Sequence, residues 1–201
     1  MVAPNMATML GFITTDVAIS PKMLKAAFKN AVDQSFNCIT IDGCMSTNDM
    51  VTVMANGCAQ NKVISKPGKD YHTFAKALEY ICLDLAKKIV LDGEGATKFI
   101  EIHCLGAQNE KQARTVGLAI ANSDLVKTAA AGSNPNWGRV AAAVGSLGIN
   151  GVTEENLRIK FSSFDKKEIQ ITVDLNLGAS KATVYTSDLT LEYIRINMRY
   201  T

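Results

Sequence analysis

The stretch Pro4–Asp16, PNMATMLGFITTD, sets a threonine behind a small residue at the mouth of an apolar run. A threonine hydroxyl is a weak nucleophile until a base takes its proton. Thr8 acquires a base if the Ala7–Thr8 bond opens, because its own α-amine then titrates near ~7.7–8.0. The hydroxyl can attack the preceding carbonyl to form an ester that water opens, and Ala7 leaves room for that attack. The same residues also fit a threonine that simply opens a strand, where a β-branch packs well. Local sequence leaves both readings open.

Three further stretches concentrate polar chemistry. ITIDGCMSTNDMV packs Asp42, Ser46, Thr47, Asn48 and Asp49 between apolar runs. Short groups of this kind lock loops through backbone hydrogen bonds. That suits an active-site loop and a rigid inter-strand turn equally. DGEGATK sets Glu94 between Gly93 and Gly95 just past a helix end. Glycines let the backbone approach a ligand, and the carboxylate suits a cationic amine; on local grounds a solvated loop acid is the favoured alternative. The stretch does not match a phosphate-binding loop. NPNWGRV holds the single tryptophan, Trp137, beside Arg139. An aromatic beside an arginine suits the lining of a pocket or, as the favoured reading, the anchor of a helix start in the core. Asn197, near the end of the chain, reads locally as a surface residue.

The elements that must position these groups are legible. Met9–Thr15 reads as a strand. Ser20 and Pro21 cap and open a helix, with Leu24, Phe28, Ala31 and Val32 at helical spacing. Residues 37–43, NCITIDG, alternate like a strand, and 50–57 read as a β run ended by Asn-Gly. Residues 70–93 form the longest amphipathic helix, with Phe74, Leu78, Ile81, Leu85 and Ile89 on one face. A strand over 97–106, a helix from 109 to 123 and a small-residue helix after NPNW follow. From about residue 157 the texture becomes strand-rich: LRIKFSS, EIQITVDL and KATVYTSDL alternate between turn signals. The predicted fold class is α/β of the α+β kind, layered sheets with helices outside.

Composition bounds the function. The 201 residues are 47% hydrophobic and 20% charged, with net charge +2, as in ordinary globular proteins. The scattered basic residues argue against nucleic acid. No run approaches the roughly 20 apolar residues of a membrane span. No secretory signal is read at the N-terminus. The five cysteines, an odd number, and the lack of Cys-x-x-Cys spacing favour a reduced, cytoplasmic chain. His72 and His103 are far from any Cys/His cluster, so no metal is expected. A Cys–His catalytic pair stays open as a minor alternative.

Taken in order, APNMATMLGFITTD, FNCITIDGCMSTND, DGEGATKFIEI, NPNWGR and LTLEYIRIN resemble the ornithine acetyltransferase (glutamate N-acetyltransferase) family of arginine biosynthesis. The resemblance covers essentially the whole chain. It implies a precursor of about twice this length that cuts itself between the positions of Ala7 and Thr8. The α and β chains then stay together as heterotetramers of a self-cleaving, N-terminal-threonine acyltransferase. Thr8 is implied as the nucleophile, passing acetyl from N-acetylornithine to glutamate by a ping-pong route. Some members also accept acetyl-CoA. No cofactor and no metal are implied. Glu94 and Asn197 match substrate-binding positions. Thr201 stands one place nearer to Asn197 than the family's C-terminal contact and is carried over on that footing.

The resemblance places residues 1–7 ahead of the cut and 8–201 in the β chain. The family's oxyanion donors, a Thr-Gly pair, and a substrate lysine would lie upstream, on the α chain. An oxyanion donor is typically worth about 10²–10³ in rate. The expectation is that this chain alone is inactive, that 1–7 stay attached, and that a lone β chain leaves apolar surface or sheet edges uncovered. The alternatives are a self-cleaving amidohydrolase or aminopeptidase, in which water replaces glutamate, and a non-enzymatic partner-binding subunit.

Overall fold

A computed structural model describes residues 9–44, 46 and 48–199. Ala7, Thr8, Thr47 and Thr201 lie outside the described residues. The chain divides into two compact units, one drawn from Met1–Asn37 with Cys44–Lys87 and the other from Cys38–Gly43 with Lys88–Thr201.

In the first unit, β1 (Leu10–Thr15) leads into α1 (Pro21–Asp33). Ser20 accepts from Met23 N at the N-cap, and Pro21 fills a first-turn position where no amide hydrogen is needed. The buried row of α1 is Met23, Ala27 and Ala31. Leu24, Phe28 and Val32 of the predicted stripe are only half-buried. Spacing finds the helix, but the closest approach falls on its smaller residues. Strand β2 (Met50–Ala55) pairs with β1 in parallel, from Leu10 opposite Met50 to Thr15 opposite Ala55.

Helix α2 (Lys69–Leu91) begins in this unit and passes into the second after Lys87. Its buried row is Leu78, Cys82, Ala86 and Val90. Of the predicted face only Leu78 is buried, and Ile81 is 43% exposed. The inward row runs at four-residue spacing through Cys82 and Ala86, which a search for large apolar residues passes over.

The second unit is built on four strands in the order β4-β5-β3-β6. These are β3 (Phe99–Ala107), β4 (Arg158–Phe161), β5 (Glu168–Asp174) and β6 (Ser180–Ser187). β3 runs parallel to β5 and antiparallel to β6, and β4 is antiparallel to β5. α3 (Glu110–Ala121), capped by Asn109, packs on β3 and β6. α4 (Asp124–Ala131), α5 (Trp137–Gly145) and α3 pack on one another. α6 (Leu191–Asn197) closes the described chain.

Strand alternation sends Ile100, Ile102 and Cys104 into one core with Val116, Ile120, Ile169, Ile171, Val173 and Val184. The other set of β3 side chains includes Glu101 and His103, both half-exposed. This sheet and its helices are the mixed α+β layering expected from the sequence.

Two local expectations fail. Residues 37–43 are not a strand. A 3₁₀ turn over Phe36–Cys38 is followed by one bridge, Ile39 to Tyr185. Thr40 Oγ1 donates to Asn122 Oδ1 (2.6 Å) and accepts from Gly43 N (3.2 Å), which folds the backbone back at Gly43, φ +75°. Side-chain hydrogen bonds thus replace a ladder. Trp137 is no core anchor: it is 45% exposed at the first position of α5. Asn136 caps that helix instead. Arg139 Nη1 ties it to α4 through Leu125 O (2.7 Å) and Thr128 Oγ1 (3.2 Å).

Candidate functional site

Glu94 lies on the loop between α2 and β3, and that loop is held from below. Asp188, 3% exposed at the end of β6, accepts from Thr97 N (2.8 Å), Lys98 N (2.9 Å) and Thr97 Oγ1. A buried carboxylate with that many donors is satisfied and fixes the loop. Gly95 has φ +67°, and a Cβ there would sit 2.4 Å from Tyr193 N. Only glycine lets the first turn of α6 come that close. Thr190 caps α6 by accepting from Tyr193 N (3.4 Å) and donates to Gly95 O (2.7 Å).

These contacts set the register of α6. Asn197 Nδ2 then donates to Glu94 Oε2 (2.9 Å) and to Tyr193 O (2.9 Å). Tyr193 Oη donates to Asp42 Oδ2 (3.0 Å). Glu94 and Asn197 are both half-buried and bonded to each other, a pairing that the local readings of a loop acid and a surface residue did not anticipate. The structure brings together the two residues that the family resemblance paired and that local reading did not. Asp188, Thr190 and Tyr193 were missed. Thr190 had a readable signal, a threonine just before a helix with Glu192 in its first turn.

In the same unit, Lys127 is 2% exposed and donates to Thr186 Oγ1 (2.9 Å) and Ser187 O (2.5 Å). Burial pushes its ammonium down to about 8, against the opposing pull of Asp188, Asp42 and Asp124. Burial also pushes the Cys104 thiol up to about 12. Its neighbour His103 points to the other side of β3, toward Thr183 Oγ1 at 3.2 Å. That environment is the reverse of what a reactive thiolate needs.

In the first unit, the loop that ends at β2 carries Asp49, 6% exposed. Asp49 Oδ1 accepts from Met9 N (2.5 Å), and Met50 N donates to Met9 O (2.8 Å). Met9 follows Thr8 directly. Ser46 Oγ accepts from Asn48 N (3.1 Å) in the exposed part of the same loop. Among the described residues no group of three His, Cys, Asp or Glu could hold a metal ion. No helix among them is long and apolar enough to cross a membrane.

The sequence model of the ArgJ family matches residues 1–166 and 162–201. The chain belongs to the ArgJ family. The arginine biosynthesis bifunctional protein ArgJ of Geobacter sulfurreducens is 46% identical, over 100% of this chain and 56% of that protein. The glutamate N-acetyltransferase of Methanopyrus kandleri is 44% identical, over 100% of this chain and 57% of that protein. This chain therefore spans about half the length of the curated ArgJ relatives it matches. The crystal structure of the arginine biosynthesis bifunctional protein argJ from Bacillus halodurans superposes with a TM-score of 0.90 at 40% identity. That match covers 96% of this chain and 100% of the crystal chain. At this identity and coverage the chain shares the fold of that structure.

Proposed function

We propose that this chain is the threonine-bearing part of an acetyltransferase that moves acetyl from N-acetylornithine to glutamate in arginine biosynthesis. The observation that carries the reading is the convergence of Glu94 and Asn197 on one hydrogen bond of 2.9 Å, in a chain of the ArgJ family. A carboxylate and an amide at one point can orient an amino-acid substrate: the first by its cationic amine, the second by polar groups of either kind.

Thr8 is the nucleophile in this reading. Its hydroxyl attacks the acetyl carbonyl while the freed α-amine takes the proton. The tetrahedral intermediate collapses to an acetyl-threonine ester, and ornithine leaves with the proton on its nitrogen. The amine of glutamate then attacks the ester and returns the hydroxyl. Thr201 is the fourth group assigned to the substrate, beside Thr8, Glu94 and Asn197.

An α chain of the same precursor is the proposed partner, in a cytoplasmic heterotetramer, and it would supply the oxyanion donors. Two observations support it. The curated relatives extend well beyond this chain, whereas the halodurans crystal chain is covered completely by it. Such coverage fits a family polypeptide that exists in two pieces. The β1–β2 sheet has only two strands among the described residues. One face leaves Leu10 and Phe12 61% exposed, with Met50 and Met54 at 42% and 51%. An isolated two-stranded sheet is marginal in water. Further strands and an apolar cover from the α chain would complete it.

The test is mass spectrometry of the two-chain assembly after N-acetylornithine, with acetyl-CoA as a second donor. Acetyl on Thr8, discharged by glutamate to acetylglutamate, is expected. No adduct on Thr8 defeats the reading, and free acetate without acetylglutamate replaces it with a hydrolase.

A further inference from the structure

We infer that Asp49 is a positioning residue for Thr8: its buried carboxylate holds the amide of Met9 and sets both the placement and the basicity of the Thr8 amine. The inference rests on the proposed role of Thr8 as nucleophile.

Asp49 is 6% exposed, yet it carries a carboxyl group with its oxygen on a backbone amide, Met9 N, at 2.5 Å. Burying a carboxylate is costly unless something uses it. Turn closure does not require the charge, since an asparagine offers the same acceptor oxygen. The contact is also redundant for pairing β1 with β2, because Met50 N already donates to Met9 O at 2.8 Å. What remains distinctive is the address. Met9 N is bonded to the carbonyl carbon of Thr8.

Covalent geometry then fixes a bound. Two consecutive backbone nitrogens are at most about 3.7 Å apart, so an amine on Thr8 lies within about 6 Å of Asp49 Oδ1. At that range a carboxylate favours the protonated amine and raises its pKa. A raised pKa makes the amine a stronger base toward the Thr8 hydroxyl and moves the pH at which it becomes available upward. Burial raises the pKa of Asp49 itself, while the hydrogen bond from the Met9 amide acts the other way. Asp49 thus meets the chain at the backbone amide that follows Thr8.

The experiment uses the assembled α and β chains, with rates normalised to the fraction cleaved before Thr8. Asp49→Asn keeps the acceptor oxygen and removes the charge. Asp49→Ala removes both. The acid limb of kcat/KM for acetyl transfer is expected to move down by about one pH unit in Asp49→Asn. In Asp49→Ala the plateau of kcat is expected to fall at least about tenfold at every pH, as a misplaced nucleophile predicts. An acid limb in Asp49→Asn that coincides with the wild type overturns the inference, even if stability changes. The isosteric variant keeps the inference falsifiable should Asp49→Ala not fold. An inactive wild-type assembly defeats the reading of Thr8 and this inference together. An active wild type with an unmoved limb defeats this inference alone.

Discussion

Glu94 and Asn197 are 103 residues apart in the chain and share a hydrogen bond of 2.9 Å. Neither is held by an apolar core. α6 buries none of its residues, and Leu191, Ile194 and Met198 are 73%, 50% and 75% exposed. The pair is held instead by polar contacts at the base of α6: Thr190 to Gly95, Tyr193 to Asp42, and Asp188 to the loop after Glu94. The candidate substrate residues thus depend on hydrogen bonds that can be removed one at a time.

Asn197→Ala removes the amide from Glu94 and leaves the loop in place. The lost bond has a charged partner, which is worth about 1.5–3 kcal/mol. The KM for N-acetylornithine is expected to rise about tenfold or more, with a smaller change in kcat. Steady-state kinetics of the two-chain assembly read this directly. A fall in kcat with KM unchanged would place Asn197 in transition-state stabilisation instead.

Gly95→Ala puts a side chain at φ +67° and a Cβ at 2.4 Å from a backbone nitrogen that cannot move alone. Strained backbone of this kind costs about 1–3 kcal/mol before the collision is counted. Urea denaturation is expected to show a loss of about 2–4 kcal/mol. Substrate affinity should fall in parallel, because the start of α6 is displaced. An unchanged midpoint would show that the loop adapts.

Lys127 makes stability depend on pH in an unusual direction. Its pKa is about 8 in the folded protein against 10.5 as the ordinary value. Between those values the unfolded chain binds the extra proton, so stability rises with pH from about 8 to 10.5 and is level below 8, where both states are protonated. The rise amounts to at most about 3 kcal/mol. Denaturant melts across this window should show it. Lys127→Met should abolish the slope and cost about 1–3 kcal/mol, because Thr186 and Ser187 lose a buried donor.

The exposed face of β1–β2 predicts the behaviour of the isolated chain. Leu10, Phe12, Met50 and Met54 lie on one side of a two-stranded sheet. Such faces drive association. Light scattering of the chain without an α partner is expected to show oligomers or aggregates. Phe12→Glu should reduce them and also reduce recovery of the α chain in co-purification. A monodisperse monomer that still recruits the α chain would exclude this face as the partner site.

Much of this protein was determined by the sequence alone. Every segment read as a helix is helical, because capping residues such as Ser20, Asn109 and Asn136 and the 3.6-residue rhythm are local properties. The ordered motifs, from Ala7-Thr8 to Asn197, were sufficient to place the chain in its family. What the tertiary structure alone decided are the relations among distant residues. Residues 37–43 alternate like a strand, but Asn122 and Tyr185 make a buried corner of 39–41. The inward faces of α1 and α2 fall on alanines and Cys82, since the closest packing selects the smallest side chains. Asp188 and Asp42 look like loop acids until Thr97, Lys98 and Tyr193 meet them. Periodicity and capping act over a few residues and are written in the chain. A hydrogen bond between groups far apart in the chain exists only once the sheet has set their distance.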